Sequence, residues 1–284
     1  MNVSVDEVVG RFVARVPGTV LVSCDSYAGP PVERHVDVGI REMTAVSVAA
    51  GLAAEGMRPL VLGLSAFVLT RAFAQIRQDI VLNDLPVTVV GKGSGRALAP
   101  MGPTHCMPHD LPILTALAPL PVVCPVTANE FSAALESAHA EARPAYVRVG
   151  TLLSAPDALD QPPFPTQSMG AGEATLIAAG ADVATAYRAA RSSARPVRVF
   201  ALHRLLPAPS AGLQDVNGTV VVLEHEAPGL ADLIRGHLPR TATVVVWRPK
   251  DVPDGPDAGS VLADDVLRHV DRAFQIELTN KEES

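Results

Sequence analysis

Arg34-His35-Val36-Asp37-Val38-Gly39-Ile40-Arg41-Glu42 runs from an apolar strand through a glycine turn to a carboxylate that opens a helix made largely of alanine and valine. This strand, turn and helix set the pattern for the chain. From Thr19 onward, short runs of Val, Leu and Ile alternate with longer segments of helical spacing, as in parallel strands joined by crossover helices. The spacing predicts strands at Thr19 to Ser23, Pro59 to Leu64, Val87 to Val90, Val122 to Cys124 and Ala145 to Val149. Helices are predicted over Glu42 to Ala54, Ala66 to Leu82 and Glu130 to Glu141. Pro86, Pro121 and Pro144 each stand just before a strand, where a missing backbone donor does little harm.

After Gly150 the periodicity is lost through Pro156, Pro162, Pro163 and Pro165, and it returns near Glu173. A second alternating series follows, with strands expected at Ala174 to Ala179, Val197 to Ala201, Thr219 to Leu223 and Thr243 to Trp247. The reading is an α/β protein of two domains, each a mostly parallel sheet flanked by helices. The expected division is a domain at 1–150, a linker at 151–172, a domain at 173–275 and a polar tail at 276–284. With 284 residues, 48% of them hydrophobic, there is material for two cores.

The formal charge of −7, with no run of Lys and Arg, argues against nucleic acid or an anionic membrane as partner. No apolar run approaches membrane-spanning length, and the first residues lack a basic, then apolar, leader pattern. Three cysteines, Cys24, Cys106 and Cys124, show no zinc or redox spacing, so no metal-ligand set is expected and a cytoplasmic setting is.

Taken alone, Glu42 is a first-turn glutamate complementing the helix dipole, in apolar surroundings that favour the protonated acid. Cys106 beside His105 invites a nucleophilic dyad, but neighbouring side chains of an extended segment point apart. Gly91-Lys92-Gly93-Ser94-Gly95 is not a phosphate loop of the Walker kind, because Lys92 lies between glycines; a flexible active-site loop is expected instead.

The order of strings changes the weight of Glu42. It is followed by Ala50-Gly51-Leu52-Ala53, Arg71-Ala72-Phe73-Ala74-Gln75-Ile76-Arg77, Leu85-Pro86-Val87, Gly102-Pro103-Thr104-His105 and Tyr146-Val147-Arg148. In this order they resemble the pyrimidine-binding domain of transketolases and deoxyxylulose-phosphate synthases. Val222-Leu223-Glu224-His225 looks like that family's C-terminal domain. The resemblance implies thiamine diphosphate as cofactor. Glu42 would hydrogen-bond its pyrimidine ring nitrogen and favour the imino form that removes the thiazolium proton, for attack on a ketose carbonyl. It also implies a ring stacked on the pyrimidine from Leu62-Gly63-Leu64-Ser65-Ala66-Phe67. Leu64 or Ser65 stands where the family's first phenylalanine falls, leaving Phe67 as the ring and Arg71 further along as a cofactor neighbour. His105 corresponds to a substrate-facing histidine.

Such enzymes hold the diphosphate through Mg2+ bound by a Gly-Asp-Gly motif and a later Asn, for which only Asp254-Gly255 comes near. The resemblance is therefore to the C-terminal half of a split transketolase. It implies a separate diphosphate- and magnesium-binding N-terminal subunit, an α2β2 assembly with its interface near Glu42 and the helix from Ala66, and a sugar substrate. The expected reaction moves a two-carbon ketol unit from a ketose. Thr151 replaces a phosphate-binding arginine of relatives, and Met101 replaces an aspartate that reads a substrate hydroxyl. The acceptor is thus expected to be atypical, unphosphorylated or carrier-bound, unless Arg96 supplies a cation. Two other readings are the β subunit of a 2-oxoacid dehydrogenase and a non-catalytic scaffold subunit.

Overall fold

Every strand at the middle of the first sheet is buried on both faces, and the sheet is parallel, as that pattern demands. The computed structural model describes residues 3–153, 166–169, 172–209, 212–249 and 262–273. Most of the expected linker, the tail from 276 and Asp254-Gly255 lie outside the described residues. Two compact units divide the chain, Met1–Pro162 with Leu205–Pro207, and Pro163–Arg204 with Ala208–Ser284.

In the first unit β1 (Val3–Ser4) leads into α1 (Val5–Arg15), which starts with Ser4 accepting the Glu7 amide at 3.1 Å. Next come β2 (Thr19–Ser23), β3 (His35–Asp37), α2 (Glu42–Ala54), β4 (Arg58–Leu64), α3 (Ser65–Arg71) and the single turn α4 (Phe73–Gln75). β5 (Thr88–Lys92), α5 (Asp110–Thr115), β6 (Val122–Val123), α6 (Ala128–Glu141), β7 (Ala145–Val149) and β8 (Leu152–Leu153) follow. α6 opens with a reciprocal box between Thr127 and Glu130. β8 pairs antiparallel with β1, so the expected linker begins with an ordered strand.

The chain steps from β2 outward to β3 and returns on the other side of β2 with β4, giving the order β6-β7-β5-β4-β2-β3. Ligands of such sheets sit beyond the carboxyl ends of the strands. There the chain places Glu42 after β3, Leu64 to Arg71 after β4 and Gly93 to Gly95 after β5.

The helix expected over Ala66 to Leu82 is broken. α3 stops at Arg71, Ala72 leaves helical geometry, and the segment ends as a π-helix at Ile76–Val81. Ile76 and Ile80, one turn apart on a single face, both reach the core, while Asp79 accepts the Ser47 hydroxyl of α2 at 2.8 Å.

The second unit holds β9 (Thr166–Met169), β10 (Ala174–Ala179), α7 (Asp182–Ser192) and β11 (Val197–Leu202). After β12 (Arg204–Leu206), which extends the first sheet beside β6, it continues with β13 (Thr219–Leu223), α8 (Leu230–Ile234), β14 (Thr243–Trp247) and a helix over 262–273. Its sheet runs β14-β13-β10-β11-β9, parallel except for β9. Glu224, buried at the end of β13, accepts the Ala231 amide at 2.7 Å and Arg248 Nε at 2.9 Å, so the Val222-to-His225 string closes the α8 turn. The fold class expected from sequence is the one observed.

Candidate active site

The turn before α2 is fixed by Asp37. Its carboxylate accepts the Gly39 amide at 2.7 Å, the Ser23 hydroxyl at 2.5 Å and the Asp25 amide at 3.2 Å, while His35 Nε2 lies 2.8 Å from the same hydroxyl. Burial alone would push the Asp37 carboxyl up, but these donors and His35 hold it below the ordinary carboxylate range. Gly39 adopts φ +68°, a left-handed value that a glycine takes without a Cβ clash. The result is that Glu42 enters as the first residue of α2 with only 4% of its surface exposed.

The surroundings of Glu42 are not purely apolar, contrary to the sequence-based expectation. Arg71 Nη1 donates to both carboxylate oxygens, at 3.2 and 3.1 Å, from a side chain that remains half exposed. The same guanidinium lies 4.5 Å over the Phe67 ring, one helical turn earlier, and Phe67 in turn meets the His105 ring edge-on with centroids 5.2 Å apart. Four of the residues singled out from sequence thus form one continuous chain of contacts: Glu42, Arg71, Phe67 and His105. Cys24, which the sequence did not flag, lies beside them; burial first, then the charges of Glu42 and Asp37, push its thiol up to about 12.

Leu64 stands at the N-cap of α3, partly buried, and offers no ring. Ser65 does not join the group. It is fully buried, and its hydroxyl lies 3.1 Å from that of Tyr146 in the interior. Met101, 56% exposed, and Arg96 share one loop with His105, which Met107 closes by donating to the Gly95 carbonyl at 2.7 Å. His105 Nδ1 is 3.1 Å from the Thr104 hydroxyl, whereas the Cys106 thiol turns to the Gly102 carbonyl at 3.7 Å, so the two do not form a dyad.

The Gly91-to-Gly95 segment is pinned rather than loose. Lys92 Nζ sits 2.9 Å from both oxygens of Asp6 and also donates to the Ser26 carbonyl, Ser94 donates its hydroxyl to the Gly91 carbonyl at 2.9 Å, and the Ser94 amide reaches the Val149 carbonyl at 3.0 Å. Its lysine is consumed by that ion pair, which the sequence hid because Asp6 is distant along the chain.

The family model "Transketolase, pyrimidine binding domain" matches residues 9–154, about half of the chain and the whole of the region just described. The chain belongs to the transketolase family. Curated relatives include a 1-deoxy-D-xylulose-5-phosphate synthase of Thioalkalivibrio sulfidiphilus, 31% identical over 82% of this chain and 33% of its own length. Another, the 1-deoxy-D-xylulose-5-phosphate synthase 2 of Geobacter sulfurreducens, is 38% identical over 64% of this chain and 28% of its own. The chain therefore spans about a third of the curated relatives it matches. Among solved structures, the fold is shared with a protein described as "Split gene transketolase, inactive beta4 tetramer", at TM-score 0.76 and 23% identity, covering 96% of this chain and 99% of that one. It is shared also with the transketolase of Campylobacter jejuni, at TM-score 0.74 and 14% identity, over 95% of this chain and 46% of that one. Among the described residues of this transketolase-family chain, no helix is long and apolar enough to cross a membrane, and no group of three or more His, Cys, Asp or Glu gathers as a metal site.

Proposed function

We propose that the first unit supplies the pyrimidine-binding half of a thiamine diphosphate site in a transketolase-like transferase, with Glu42 as the carboxylate that meets the pyrimidine. The observation that carries this reading is the placement of the Arg71 guanidinium. It is planar, bears N–H donors, and at once donates to Glu42 and lies over the Phe67 face. A flat nitrogen heterocycle needs the same two partners, a buried acceptor and a stacking ring, and Arg71 is exposed enough to swing aside for it. The cofactor, when bound, supplies the carbanion chemistry. Glu42 would hold a hydrogen bond at the ring nitrogen, Phe67 would stack on the ring, and His105 would face the substrate as donor or acceptor of a proton.

The diphosphate and Mg2+ belong to residues outside these 284. The end-to-end match with a split-gene transketolase supports a separate polypeptide that carries them and an oligomer, for which we propose an α2β2 assembly. Exposed Ile40, Met43 and Leu82 support an interface near Glu42 and the segment from Ala66. On the acceptor, Thr151 and Met101 in place of charged residues support an atypical, unphosphorylated or carrier-bound molecule, with Arg96 the nearest cation on the same loop. The domain division we propose remains a cofactor domain to 150 and a C-terminal domain from 173.

The test is to coexpress the chain with a diphosphate-binding transketolase half and measure thiamine diphosphate binding and consumption of xylulose 5-phosphate. Cofactor binding with donor loss is expected; no binding in a well-formed complex refutes the reading. The names of the curated relatives favour a second product, 1-deoxy-D-xylulose 5-phosphate, whose appearance is followed in the same complex.

A further inference from the structure

Tyr146 and Arg148 lie two residues apart on β7, so their side chains leave the same face of the strand, and both are buried. Each is hydrogen-bonded to a residue outside the chain of contacts from Glu42 to His105. Tyr146 reaches the first residue of α3, which carries Phe67 and Arg71, and Arg148 the first residue of α5, which follows the His105 loop.

The Tyr146 side chain crosses the neighbouring strand β5 at Gly91. A Cβ at Gly91 would stand 1.7 Å from the Tyr146 hydroxyl, so the crossing exists only because that position has no side chain. Beyond it the hydroxyl meets Ser65, the first residue of α3 and two before Phe67, at 3.1 Å. Arg148 reaches in another direction. Its Nε donates to Asp110 at 2.7 Å, its Nη2 to the other carboxylate oxygen at 3.4 Å, and its Nη1 to the Cys124 sulfur at 3.7 Å. Asp110 is fully buried and opens α5 directly after the loop that bears His105.

A buried phenol and a buried guanidinium–carboxylate pair are poor ways to stabilise a core, since apolar residues of like volume carry no desolvation cost. What they add is direction: each hydrogen bond fixes where the next element begins. We infer that Tyr146 and Arg148 are positioning residues, which from one strand set the edge-on placement of His105 against Phe67. The inference rests on the functional reading of those two rings, but its physical content does not need that reading to hold.

The experiment follows the His105 ring resonance by NMR in the full chain labelled with 13C-histidine, assigned with His105→Gln. Tyr146→Phe and Arg148→Lys keep bulk or charge while altering the directed bonds. Val147→Ala, on the opposite face of β7, is the control for lost stability alone. The two polar variants are expected to displace the resonance, and Val147→Ala to leave it in place at an equal loss of melting temperature. Ser65→Ala removes the other end of the Tyr146 bond and gives the same displacement if Tyr146→Phe folds poorly. In the reconstituted complex, Tyr146→Phe should lower kcat about ten- to a hundredfold with KM little changed. His105 spectra that do not move, or that move as far in Val147→Ala, overturn the inference. Displaced spectra in a complex whose turnover ignores Glu42 and His105 would sustain the positioning and sink the functional reading instead.

Discussion

Replacing Gly91 by alanine tests how tightly the sheet beneath the site is built. The added Cβ would lie 1.7 Å from the Tyr146 hydroxyl, 2.5 Å from its ring carbon and 3.2 Å from the Ser65 hydroxyl, against ordinary contacts beyond 3.4 Å. Tyr146 is fully buried and held at its tip, so it has no open rotamer to retreat into. An overlap of this depth belongs at or above the upper end of the range for overpacked cores, about 3 kcal/mol, which lowers the melting temperature of a unit this size by roughly 6 to 12 °C. Tyr146→Leu alone leaves a cavity and costs about 2 to 4 kcal/mol. In the double variant the new methyl group enters space the phenol has vacated, so the two costs should fall short of additive by about 1 kcal/mol or more. Urea unfolding of the four proteins, followed by circular dichroism, gives the coupling. Strict additivity would refute the claim that the phenol crossing β5 is what requires glycine at 91.

Two further outcomes follow from buried groups. Burial and the neighbouring carboxylates push the Cys24 thiol up to about 12, and Cys124 is raised by complete burial, whereas Cys106 is partly accessible. At pH 8 a thiol reagent should label one cysteine of the folded chain quickly, Cys106, and the other two only on unfolding; fast labelling of Cys24 would contradict the packing around Glu42. In the second unit, burial pushes the His203 imidazole down to about 4, below its ordinary 6.5. The unfolded chain therefore takes up a proton first as pH falls. Stability present above about pH 6.5 is lost on the way to pH 4, by roughly 3 kcal/mol in all. His203→Gln should flatten that slope in a pH series of unfolding midpoints, and an unchanged slope would refute the assignment.

Much of the fold was legible because parallel strands buried on both faces write themselves as apolar runs. Thr19 to Ser23, Ala145 to Val149, Ala174 to Ala179 and Thr243 to Trp247 were read to the residue. What escaped had weaker local marks. β12 and β9 are short and take their place from distant partners, and no local pattern marks the break after Arg71 or the π-helix that ends the segment. At the site, the strings around Glu42, Phe67 and His105 hold residues that the fold brings into one chain of contacts. The link between them did not show, although Phe67 and Arg71 at i, i+4 was a spacing that could have announced the stacked guanidinium. Ser65, one of the two positions where the family's first phenylalanine falls, spends its hydroxyl on Tyr146, a partner 81 positions away that no local pattern reveals.

The central claim is that the Glu42 carboxylate activates a bound cofactor, and it is tested most directly by Glu42→Gln in the complex with a diphosphate-binding half. The variant keeps the volume at the start of α2 and leaves Arg71, already half exposed, free to turn to water. Donor turnover measured at saturating thiamine diphosphate and Mg2+ should fall by about 10²- to 10⁴-fold with the complex intact. Turnover within a few-fold of the unsubstituted complex would contradict the account.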